Sequence, residues 1–164
     1  MIILGIDPGT ATTGYGLIEM SGNKHRLVDY GCIRTPAGKI MSARLEMIYE
    51  AMRELVKRHH PDQVAIEQLF FNRNITTALS VGQARGVLLL AVEQSQVPIA
   101  EYTPLQVKQA IVGYGGAEKK QVQYMVARVL NLKNPPKSDD AADALAIAIC
   151  HAHFYQNRRM LGYR

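Results

Sequence analysis

Ile2-Ile3-Leu4-Gly5-Ile6-Asp7-Pro8-Gly9-Thr10 is an apolar run that stops on an acid and then turns. The run reads as a buried strand and Pro-Gly as its turn. Asp7 therefore stands at the tip of an element that must lie in the core. Two other segments repeat the arrangement. Glu67 closes the run Val64-Ala65-Ile66, and Asp140 and Asp143 open the apolar stretch from Ala141 to Ala152. A buried carboxylate is costly unless a proton, a partner or a metal compensates it. If the fold brings the three tips together, the acids repel one another, and a divalent metal is the usual remedy. The pattern points to metal-dependent phosphoryl chemistry.

With 164 residues, 48% of them hydrophobic, the chain suits one domain with a substantial core. No apolar run approaches the roughly 18 residues of a membrane span. The first strand follows no basic leader with a small-residue cleavage site, so no signal peptide is expected. Cys32 and Cys150 have no metal-ligand spacing and are expected to be reduced, buried small hydrophobes of a cytoplasmic protein. The formal charge of +5 suits a polyanionic partner.

Outward from the first strand, Thr13 to Met20 forms a second strand, and Ser21-Gly22-Asn23-Lys24 turns the chain into a third over 26–34. From Ser42 to His59, Leu45, Ile48, Met52, Leu55 and Val56 recur at helical spacing. A fourth strand follows from Gln63 to Glu67. Asn74 can cap a helix reaching about Gln96. Its stretch Ala78 to Val92 carries only Ser80, Gln83 and Arg85 as polar side chains, too few for a helix with one wet face. That helix must be central to the core or covered by a partner subunit. Ile99 to Tyr102 is a fifth strand, with helices expected over 104–112 and 117–131. A last helix begins behind Ser138 and runs to about Gln156. We expect a single domain over 1–156 and a basic, disordered tail over 157–164.

A hairpin followed by crossovers implies a mixed five-stranded α/β sheet with helices on both faces. Strands one and four are then parallel neighbours, with Asp7 and Glu67 both at carboxyl ends, where ligands gather. Asp140 and Asp143, three apart, share a helix face, but so do Asp139 and Asp143, four apart, and spacing does not choose between them. Acids in a first turn also suit the helix dipole without any function, and Asp7 could serve a structural Asx-turn. Neither reading accounts for three acids bordering three different apolar elements.

Ile6-Asp7-Pro8-Gly9-Thr10 with Gly14-Tyr15-Gly16, Ala65-Ile66-Glu67-Gln68, Gly82-Gln83-Ala84-Arg85-Gly86 and Asp140-Ala141-Ala142-Asp143-Ala144 together resemble the RuvC family, as do Gln106-Val107-Lys108-Gln109 and Ala117-Glu118-Lys119. That family consists of bacterial Holliday-junction resolvases with a ribonuclease H-like fold. The resemblance runs in order from Ile3 to about His151. It implies a magnesium-dependent endonuclease of recombination and DNA repair with Asp7, Glu67, Asp140 and Asp143 as its catalytic and metal-holding acids, which selects Asp140 over Asp139. Two ions per subunit are expected, and manganese could substitute. Asp7 on a central strand is the candidate bridge, with Glu67 completing one metal site and Asp143, assisted by Asp140, the other.

Lys119 and Lys120 follow a Gly-rich turn at a helix start, a place suited to phosphate. The resemblance adds Lys108 and Lys119 as functional lysines. It also implies that Phe70, three residues beyond Glu67, wedges or stacks on an unpaired base. Phe71 competes for that role, and Arg73 is a candidate to extend a basic surface alongside Arg85. Symmetric cutting of a four-way DNA junction implies a homodimer, and family membership implies cooperation with the branch-migration proteins RuvA and RuvB. The phosphate loop of actin and Hsp70-type ATPases is also similar to 5–10, but those proteins need a duplicated half for which this chain has no room. An RNA–DNA hybrid ribonuclease would be compatible with the same acids. A non-catalytic DNA-binding module would explain the charge but leave the acids without purpose.

Overall fold

The computed structural model describes residues 1–68 and 75–160. In chain order these form β1 (Ile2–Asp7), β2 (Thr12–Ser21), β3 (Lys24–Arg34), α1 (Met41–His59), β4 (Gln63–Glu67), α2 (Ile75–Glu93), β5 (Ile99–Tyr102), α3 (Pro104–Val112), α4 (Lys119–Val129) and α5 (Asp139–Met160). The sheet order is β3-β2-β1-β4-β5. β1 pairs antiparallel with β2 and parallel with β4, and β4 pairs parallel with β5. The mixed sheet with central β1 is the one the sequence implied.

Side-chain alternation divides the core in two. Leu4, Ile6, Leu17, Val64 and Ile66 pack with residues of α1 and α2 on one face. Ile3, Ile18 and Ala65 pack with α3, α4 and α5 on the other. A strand buried on both faces needs apolar residues at every position, which is why β1 and β4 read as continuous apolar runs.

Gly5 of β1 pairs with Gly16 of β2, Gly14 pairs with Asp7 two residues along, and here the missing side chains matter. A Cβ on Gly5 would stand 2.1 Å from the Ala144 carbonyl oxygen, and one on Gly14 would stand 2.0 Å from that of Asp140. The three glycines leave a groove in which α5 lies almost directly on the sheet backbone. The alanines of α5 complete the fit, since Ala141, Ala144 and Ala148 are fully buried.

Several element ends differ from expectation, most of them by one or two residues. α2 stops at Glu93 rather than Gln96, because Gln96 turns into the left-handed region (φ 56°). α4 begins at Lys119 rather than 117, because Glu118 and Gln121 form a capping box ahead of it. α5 continues past Gln156 to Met160. Nothing in Asn157-Arg158-Arg159-Met160 breaks a helix, and cations near a C-terminus suit the dipole. Cys150 is buried as expected, but Cys32 is only half-buried and its Sγ lies 3.0 Å from Ser138 Oγ, just ahead of α5. Among the described residues, no helix is long and apolar enough to cross a membrane.

Candidate metal and nucleic-acid site

Alternation directs Asp7 and Glu67 to the face that α5 covers, because Gly5 and Ala65, two positions earlier, already contact or cluster with α5. The parallel register pairs Ile6 with Ile66, so the next positions, Asp7 and Glu67, end adjacent strands side by side. Gly14, paired with Asp7, supports the Asp140 backbone. The first turn of α5 is thereby laid across the end of β1.

The electrostatics report the same convergence. The Asp7 carboxyl is pushed up to about 8, first by burial and then by the charges of Glu67, Asp143 and Asp140. Glu67 is pushed up to about 7 by burial and by Asp143, with Lys108 and Lys119 pulling the other way. Asp143 is raised by burial despite its ion pair with Lys119. Lys119 Nζ stands 3.0 Å from Asp143 Oδ2 and 3.4 Å from Asp139 Oδ2. Burial works against the ammonium charge, but these two carboxylates outweigh it and hold Lys119 above its ordinary range. Both partners of the Lys119–Asp143 pair are raised because a single cation does not offset the burial of Asp143 among other acids. Asp139 is different. It lies exposed on the outer side of α5, where a hydrogen bond from Gln123 at 2.8 Å and then Lys119 hold its carboxyl below the usual range.

A hollow of about 220 Å³ opens beside the acids, lined by Glu67, Lys108, Lys119 and Asp143 over an apolar floor of Val107, Val122 and Ala146. Lys108 and Lys119 thus share one space with two of the acids. Lys120 is exposed in the same turn of α4 as Lys119. Phe70, Phe71 and Arg73 lie outside the described residues. Among the described residues, the carboxylates do not stand as a closed ligand cage. What they share is mutual repulsion on an all-oxygen donor set.

Two supports escaped the sequence reading. Thr13 Oγ1 donates to the Gly9 carbonyl (2.7 Å), Thr10 Oγ1 to that of Ser80 (2.6 Å) and Thr35 Oγ1 to that of Thr10 (2.6 Å), so buried threonines pin the turn after Asp7. The run Thr10-Ala11-Thr12-Thr13 was the available signal. Arg85, read from sequence as surface charge, instead points inward to the end of β4.

The family model for crossover junction endodeoxyribonuclease RuvC matches residues 3–151. This chain belongs to the RuvC family. The RuvC of Desulfitobacterium hafniense is 62% identical over 153 residues, 93% of each chain, and that of Pelotomaculum thermopropionicum is 56% identical over 161 residues, 98% of each. Among solved structures, Thermus thermophilus RuvC in complex with Holliday junction substrate superposes with a TM-score of 0.91 at 37% identity, covering 96% of both chains. The ribonuclease H-like RuvC architecture expected from the motifs is therefore the fold of this chain.

Proposed function

We propose that this RuvC-family chain resolves four-way DNA junctions by metal-dependent phosphodiester hydrolysis, with Asp7, Glu67, Asp140 and Asp143 as the acids. The observation that carries the reading is the Asp7 carboxyl, pushed up to about 8 by burial and by the other three acids. Such a group calls for a cation. Oxygen-only donors suit a hard ion that keeps several waters, so magnesium is the expected metal and manganese its substitute. Two bound ions per subunit would supply activation of the attacking water and charge stabilisation at the leaving oxygen.

The protein's own groups have separable tasks. Asp7, on the central strand, would serve both metal positions; Glu67 would complete one, and Asp143, assisted by Asp140, the other. Lys119, which stands 3.0 Å from Asp143, and Lys108, which lines the same hollow, would hold phosphate oxygens of the DNA backbone. Lys120 and Arg73 extend the basic surface. Phe70 stacks on an unpaired base at the branch point, with Phe71 as the competing ring.

One such site cuts one strand, and paired symmetric cutting needs two related by a two-fold axis. The α2 face supports a homodimer, since Leu79 and Leu90 are 64% and 52% exposed on it. Partners RuvA and RuvB, a cytoplasmic setting and a single domain that takes in α5 to Met160 complete the reading. The test incubates the protein with magnesium and labelled four-way junction, linear duplex and RNA–DNA hybrid. Selective paired cleavage of the junction is expected. Preference for the hybrid would make it a ribonuclease, and binding without cleavage under any metal would make it a binding module.

A further inference from the structure

Glu67 is the last residue of β4, and its main chain has an unusual need. Val64 donates its N–H to Pro98 and Gln68 donates to Tyr102 (2.8 Å), so even-numbered N–H groups of β4 face β5. The carbonyl of Glu67 therefore faces β1. There the ladder ends at Ile6 and Ile66, and the residue that would donate next is Pro8, which has no N–H. The Asp7-Pro8 turn thus removes the ladder donor from a residue whose carboxylate must be held still.

Arg85 supplies the missing donor. From the middle of α2 its Nε donates to the Glu67 carbonyl oxygen at 3.1 Å, while Nη2 donates to the carboxylate of Glu101 on β5. The guanidinium is well covered, its side chain only 16% exposed. The peptide unit after Glu67 is consequently held at both ends, its oxygen by Arg85 and its N–H by Tyr102. That unit sets the backbone torsion of Glu67, and so the direction in which its side chain leaves the strand.

We infer that Arg85 is a positioning residue for the metal site: it replaces the donor lost at Pro8, fixes the backbone of Glu67 and so aims the Glu67 carboxylate. The inference rests on the proposed metal role of Glu67. The planar fork holds the carbonyl and the carboxylate through two separate nitrogens in a fixed geometry, which the single nitrogen of a lysine does not reproduce. In Arg85→Lys the ammonium goes to the Glu101 carboxylate and deserts the carbonyl.

The test measures manganese binding by electron paramagnetic resonance on wild type, Arg85→Lys, Arg85→Ala and Arg85→Lys/Glu101→Gln, with melting temperature and metal-free junction binding on each. Wild-type manganese binding checks the metal reading on its own; its absence would remove that reading and this inference together. Given wild-type binding, Arg85→Lys is expected to fold and to bind manganese about tenfold more weakly, the usual scale for losing an outer support of a metal ligand. Adding Glu101→Gln frees the ammonium for the Glu67 carbonyl and recovers part of the loss. Junction binding without metal stays at the wild-type level. Unchanged manganese affinity in Arg85→Lys would overturn the inference, as would a double variant worse than the single one. Weaker metal-free junction binding with intact manganese binding would make Arg85 a DNA contact instead.

Discussion

α2 and the Ala141–Ala152 stretch of α5 read almost alike in sequence, each apolar with few polar side chains, yet they meet opposite fates. Ala141, Ala144, Leu145 and Ala148 of α5 vanish beneath β1 and β2. α2 buries Ala84, Leu88, Ala91 and Val92 but leaves Leu79 and Leu90 in water, in line with exposed Gln83 and Gly86. Steps of four, three and four place those four residues on one helix face. The difference lies in what each helix faces. For α5 the sheet provides glycines that let the helix backbone descend onto it. Among the described residues the outer face of α2 meets no such surface, and a second copy is the covering proposed above. Apolar content therefore identifies surface that must be covered, and the partner's shape decides by what.

The largest effect is expected at the glycine groove. Gly5→Val would force a Cβ against the Ala144 carbonyl oxygen and the Ala148 nitrogen, 2.1 and 2.7 Å away. Both are backbone atoms, so α5 must lift, at a cost of about 3 kcal/mol. Urea unfolding measures this, and an unaltered midpoint would show that the glycines are not what seats the helix. On the other helix, Leu79→Asp with Leu90→Asp should produce a folded monomer by light scattering, with monomer stability within about 0.5 kcal/mol of wild type because both sites are exposed. Paired cutting of the junction should then give way to single nicks. A variant that stays dimeric would place the interface elsewhere.

A smaller effect separates the two helices by pH. In the metal-free protein Asp7 and Glu67 keep their protons up to about 8 and about 7, against ordinary values of 3.8 and 4.5. Between pH 4 and 8 these two acids hold more protons in the folded chain than in the unfolded one, and their contribution to stability falls as pH rises through that window. Buried His151, lowered to about 4, acts the other way below its ordinary 6.5. Magnesium should raise the melting temperature more at pH 8 than at pH 5, and the α2 double variant should keep that dependence. A flat profile would contradict the convergence of the acids. The smallest effect belongs to Asp139→Asn, on the outer side of α5, which should slow cleavage little beside Asp140→Asn or Asp143→Asn. Single-turnover rates compare the three without interference from product release.

The acid at the end of β1 was legible because an apolar strand, an acid and a Pro-Gly turn are all local features. The β1–β4 neighbourhood followed from the hairpin-then-crossover order. Choosing Asp140 over Asp139 was beyond spacing, since steps of three and four share a helix face. The difference is tertiary: Asp140 adds to the charge felt by Asp7, while Asp139 meets Gln123 and Lys119. Gly14 and Gly16 were visible as a motif, but their purpose appears only when α5 lies across them. Arg85 was visible within a motif and as a positive charge, but its inward role was not, because its acceptor is a main-chain oxygen that no sequence pattern marks.

Asp7 is where the strand, the glycine groove and the other acids meet, and its substitution by asparagine tests their joint purpose. Asp7→Asn keeps the shape of the side chain and removes its charge. Junction affinity and single-turnover cleavage should be measured on the same preparation at saturating magnesium. Binding should persist, because it rests on phosphate contacts from basic residues, and cleavage should vanish. Cleavage at close to the wild-type rate would contradict a metal-bridging Asp7 and, with it, the site assembled around it.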